Sequence, residues 1–251
     1  MEKYVRIGET LQSCRLFGQH EFITHERLSP ATDCVRLLDA RVEAEFGAEM
    51  ARLWNCPDGE EWTTECAWNF ELLNNSLERL RDVDTFIVVP EHKTLVAIRA
   101  SFCRHKGMGE AFPVGVHYPY RVILLDENLQ NAGNHLIYYP RVASTTETNT
   151  DGSPVVAATG PVVLSWATCN DAHTWPAFRS HVHPLFAAFG AALVLARCGG
   201  LAAVASVAMD AEYADSLAEL EEVFGVWAAA VGFARLAPLL RDKPVLGLQL
   251  T

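Results

Sequence analysis

The chain of 251 residues lacks the motifs that most directly announce a chemistry. None of its seven cysteines stands in a C-x-x-C pair, which removes the zinc ribbon and the thioredoxin motif. There is no phosphate-cradling G-x-x-x-x-G-K-S/T loop, no dinucleotide G-x-G-x-x-G, and no G-x-S-x-G nucleophile elbow. The first residues, MEKYVRIGETLQSC, carry charge and no apolar segment, so a secretory signal is not expected. The longest uninterrupted apolar run, Leu185 to Ala196, is too short for a hydrocarbon layer of roughly 30 Å. Positive charge is also scarce. Lys+Arg number 20 against 31 Asp+Glu, a formal net charge of -11, which repels nucleic-acid phosphate and anionic lipid. Neither nucleic acid nor membrane is therefore an expected partner.

Half of the residues are hydrophobic and a fifth are charged, so the chain can bury a sizeable core. The odd, widely spaced cysteines suggest free thiols, and hence a reducing, intracellular (cytoplasmic) compartment. No period of 20–50 residues recurs, and no linker divides the chain, which reads as one domain over 1–251.

The apolar spacing orders the elements. Val35, Leu38, Val42, Phe46, Met50 and Leu53 form one helical face after Thr32-Asp33. A second stripe, Cys66, Phe70, Leu73, Leu77 and Leu80, follows Thr63-Thr64. The runs 85–89, 95–100, 121–125, 135–142, 154–159 and 161–168 have β character. From Trp175 onward helix returns. Its clearest seam runs through Tyr213, Leu217, Leu220, Phe224, Trp227, Val231 and Ala234. The order of helices 32–81, strands 85–168 and helices 175–240 predicts an α+β fold, with an antiparallel sheet of about five or six strands between helical layers.

Three groups of residues could carry a function. The first is a thiol pair. Cys66 near a helix start would gain thiolate character, His135 at the head of a strand would serve as base, and Asn149 or Asp151 would orient the imidazole. A cysteine on a helix followed by a histidine on a strand resembles the order in papain-like hydrolases, though the local sequence signatures of that family are missing. That resemblance implies a thiol hydrolase or acyltransferase, with Cys66, His135 and Asp151 as catalytic residues. The second group is His173, His181 and His183, with Cys169 and Asp171 close in sequence. In an extended chain His181 and His183 share one side, as ligands of a divalent metal would. The third is the seam of the C-terminal helices, expected to pack on the sheet or to bind a protein partner or a second copy of the chain. His20-Glu21-Phe22-Ile23-Thr24-His25 is one residue too long for a zincin helix, and Asp82-Val83-Asp84 reads as a solvated helix end. The broadest expectation is a soluble, non-catalytic protein that binds another protein or assembles with itself.

Overall fold

The computed structural model describes residues 20–53, 63–104, 112–113, 115–148, 154–158 and 160–241. The fold is α+β, with antiparallel strands, but the strands do not form one sheet. Among the described residues they make four small ones, the largest of three strands.

β1 (Thr32–Arg36) pairs with β2 (Phe70–Asn74), from Thr32 opposite Asn74 to Arg36 opposite Phe70. Both segments lie where the spacing predicts helix. The helix α1 begins only at Ala40 and runs to Leu53, burying Val42, Phe46 and Met50 as the stripe predicts. In β2 the side chains of Phe70, Glu71, Leu72 and Leu73 are all buried, so both faces are covered and the apolar run has no strand alternation to reveal it. Asn74 then caps α2 (Asn75–Asp82), its side chain accepting from the Leu77 amide at 3.0 Å.

β3 (Phe86–Pro90) and β4 (Tyr118–Leu124) pair antiparallel, with β9 (Phe178–Ser180) on the far side of β4. Between β3 and β4 lies α3 (His92–Arg104), across the stretch 95–100 expected as a strand. Leu95, Ile98 and Phe102 are its buried apolar positions, a helical spacing that the β-branched Val96 and Ile98 disguise. The polar segment after β4 contains a one-turn helix, α4 (Glu127–Asn131), capped by Asp126.

The expected hairpin between 121–125 and 135–142 does not form. β5 (His135–Tyr138) pairs instead with β8 (Val162–Ser165), and between them β6 (Arg141–Thr148) folds back on β7 (Pro154–Ala158). This self-pairing of residues 135–165 is what divides the expected five- or six-stranded sheet.

The C-terminal third is helical after β9. His183 caps α5 (Pro184–Arg197), and Asp210 caps α6 (Ala211–Val231) by accepting from the Tyr213 amide at 3.0 Å. Gly232, at φ 89°, turns the chain into α7 (Phe233–Arg241). The seam of α6 points inward: Tyr213, Leu217, Leu220, Trp227 and Val231 are buried in the largest apolar cluster, against α3 and α5. The seam thus packs on the chain's own helices, one of the two arrangements expected of it. Among the described residues no single helix is long and apolar enough to cross a membrane.

β3 stands between two apolar clusters. Ile87 and Val89 face the helical cluster, whereas Phe86 and Val88 face a second one with Phe22, Tyr120, Trp166, Trp175 and Phe178. Alternation along one strand therefore supplies both sides.

Candidate functional site

Cys66 does not open an α-helix. It precedes a single 3-10 turn, Ala67–Asn69, and its side chain packs half-buried against the helical cluster. Burial, with the Glu43 carboxylate adding to it, pushes the thiol up to about 11. The group is protonated at neutral pH, the opposite of what a nucleophile needs. His135 stands on the exposed ribbon, opposite Ser165 of β8. No hydrogen bond or ring contact joins it to Cys66 among the described residues. Asn149 and Asp151 lie outside the described residues.

The three metal candidates also separate. The His183 ring is buried, its Nε2 2.8 Å from the Phe112 carbonyl and its Nδ1 accepting from the Leu185 amide at 3.3 Å. Burial lowers its pKa to about 4, so it is neutral, donates through Nε2 and acts as the cap of α5. His181 faces the other way, with Nε2 3.1 Å from the Ala67 carbonyl. His173 is exposed in a turn where its amide donates to Asp171 at 2.8 Å. Cys169 is buried, and burial raises its pKa. Among the described residues no three His, Cys, Asp or Glu side chains are placed to share a metal. Pro184 does keep His181 and His183 out of the helix, as expected, but the chain turns sharply there into α5 and sends the rings to different carbonyls.

One polar cluster was not foreseen. Glu71, buried in β2, accepts a hydrogen bond from Ser180 Oγ at 3.2 Å, and His181 Nδ1 lies 3.5 Å from the same carboxylate oxygen. Both nitrogens of the imidazole face oxygen, and the ring is covered. The group ties β2 to the end of β9. The one available signal was an acid inside the apolar run Phe70–Leu73. Segment 20–25 is similar: it is a turn, not a helix, and the buried Glu21 carboxylate accepts from the Thr24 amide and hydroxyl.

Two surface features remain open to a ligand or partner. The first is a cleft of about 520 Å3 between the β1–α1 turn, the end of α2 and the second half of α5. It gathers Arg36, Arg41, Arg81 and Arg197, together with Asp39, Asp82 and Asp84. Asp84 receives both Nε (3.0 Å) and Nη2 (2.6 Å) of Arg197, so the second acid of the D-x-D is tied to α5, while Asp82 is exposed. Gly190 lets α5 approach closely: a Cβ there would stand 2.1 Å from the Leu37 carbonyl oxygen. The second feature is the β5·β8 ribbon. Ile137 and Val163 are directly opposed across it and are 53% and 63% exposed. Their neighbours in the register, Leu136 and Leu164, turn inward, and Leu164 is buried. Comparison of the chain with protein-family models, with curated proteins and with solved structures finds no match.

Proposed function

We propose that this chain is a non-catalytic binding protein that receives an extended segment of a partner protein on the β5·β8 ribbon. The observation that supports this reading is the cross-strand pair Ile137–Val163, exposed on a ribbon whose strands, among the described residues, pair only with each other. A strand without a second neighbour offers backbone donors and acceptors to an incoming chain, and an apolar pair beside them selects its alternate side chains. The net charge of -11 favours a basic flank on that segment and disfavours a second copy of the same acidic chain. The thiol-hydrolase alternative has a protonated Cys66 against it, and the metal alternative lacks a gathered ligand set among the described residues.

The test is a selection of displayed random peptides on the immobilised full chain. Enriched sequences are expected to alternate apolar residues and to carry lysine or arginine at one end. Their binding should slow amide exchange in 135–138 and 162–165. The double variant Ile137→Asp, Val163→Asp should weaken them at least tenfold, about 1.4 kcal/mol. Peptides that bind the variant unchanged, or that protect other segments, would remove the reading. A concentration-dependent dimer abolished by the same variant would replace the partner with a second copy.

A further inference from the structure

We infer that the arginine-walled cleft between β1, α2 and α5 binds a small carboxylate with an apolar body. This site is separate from the ribbon and does not depend on it. Its volume of about 520 Å3 suits a compact molecule, since small-ligand pockets run from roughly 300 to 1,000 Å3.

The charges of the wall are unequal in number and in how they are used. Four arginines face three aspartates. Arg41 is paired with Asp39 at 2.8 Å, Arg197 with Asp84 at 2.6 Å, and Arg36 with Glu65 just beyond the cleft. Arg81 is different. Its Nη2 donates to the backbone carbonyls of Arg36 and Leu37, and it makes no ion pair with a carboxylate among the described residues. Burial lowers its pKa to about 10, with Arg197 adding to the shift and Asp82, Asp84 and Glu78 opposing it without touching the guanidinium. A guanidinium in that position is completed by an anion that fits its fork.

The remaining wall narrows the class. Three aspartates repel a phosphate dianion or a polyanion, whereas a single carboxylate needs only Arg81, the one guanidinium of the four outside an ion pair among the described residues. Leu193 and Val194 of α5 give the apolar side against which a short hydrocarbon would lie. Asp82 is exposed at the same cleft and makes no ion pair among the described residues, so an α-ammonium beside the carboxylate would also find a partner. The ligand's shared chemistry is the carboxylate with an apolar chain, and it can come from a plain fatty-type acid or from an aliphatic amino acid.

Calorimetric titration of the full chain separates these. Isocaproate and leucine are the two carboxylate arms, and inorganic phosphate at matched ionic strength is the control. At least one carboxylate should bind saturably, with Kd on the order of 1 mM or tighter. Tighter leucine assigns the ammonium to Asp82, and tighter isocaproate assigns a plain acid; both support the site. Arg81→Gln should weaken binding at least tenfold. Because Arg81 also holds two backbone carbonyls, Val194→Trp is the second variant: it fills the cleft from α5, leaves those bonds intact, and should abolish binding in a folded chain. No saturable binding of either carboxylate, binding unchanged in Val194→Trp, or equal binding of phosphate would overturn the inference.

Discussion

α5 and the β5·β8 ribbon are both rich in aliphatic residues, and the fold treats them oppositely. Eleven of the fourteen residues of α5 are buried, because β3 and α3 lie against it, α6 and α7 pack on it, and the β1–α1 turn closes the remaining side. A helix apolar all round survives in water only in such a position. The ribbon has a partner on one face alone: Leu164 is covered, while Ile137 and Val163 face outward. Apolar composition therefore marks the demand for burial, and the number of packing neighbours decides whether the chain itself meets it.

The sharpest way to break the comparison is to deny α5 its closeness. Gly190→Ala adds a methyl 2.1 Å from a backbone oxygen, which no rotamer change can relieve. Helix propensity would gain about 1 kcal/mol, yet the forced separation of α5 from Leu37 should leave a net loss of roughly 4 kcal/mol. Urea denaturation of the two proteins measures it. An unchanged midpoint would mean that α5 does not pack as described.

Next in size is the cap of the same helix. His183 has a folded pKa of about 4 against 6.5 in an ordinary environment. Its contribution is fully present above pH 6.5. As pH falls through that value the unfolded chain takes up the proton first, and the stabilisation is lost progressively until about pH 4. The shift corresponds to roughly 3 kcal/mol over that window. His183→Asn keeps a capping acceptor, an amide oxygen in place of Nδ1, and removes the titration, so its stability should depend less on pH by about that amount. Equal slopes for the two proteins between pH 4 and 6.5 would refute the assignment.

A smaller loss is expected at Asn69, which joins the strand layer to the helices. Its side chain accepts from the Leu38 amide at 2.8 Å and donates to the carbonyls of Leu38 and Thr64, each at 2.9 Å. It thus pairs like a short strand with the turn that leads into α1. Asn69→Ala leaves those buried groups unsatisfied and should cost about 2 kcal/mol in the same urea assay. Asn170 makes the equivalent pair with the Leu124 amide and carbonyl, at 2.8 and 2.9 Å.

The same contrast explains what could be read in the sequence. The α6 seam and the α1 stripe were legible because local periodicity and burial coincide there. The α+β class followed from the order of elements. The strand identity of 32–36 and 70–74 was hidden because each pairs with a segment more than thirty residues away and Phe70–Leu73 is covered on both faces. α3 was hidden by the β-branched Val96 and Ile98, two residues apart, among its helically spaced buried positions. The thiol–imidazole reading depended on Cys66 opening a helix, and the single 3-10 turn withdraws that premise. The arginine cleft assembles residues 36–41, 81–84 and 190–197, and no local pattern in any of the three segments announces the other two.

The smallest expected effect on stability sharpens the comparison from the other side. If Ile137 and Val163 do little for the fold, replacing them with polar residues of similar β propensity should change its stability hardly at all. Ile137→Thr and Val163→Thr keep β-branching and the cross-strand pairing, and lose only side-chain surface that is already more than half in water. The change in unfolding free energy should stay within about 0.5 kcal/mol for each. The matching change inside, Leu164→Thr, removes a buried side chain from the cluster of Trp166 and Trp175 and should cost roughly 2 kcal/mol or more. A large loss at Ile137 or Val163 would mean that the chain itself covers this face, and the proposal of a partner strand on the ribbon would fall with it.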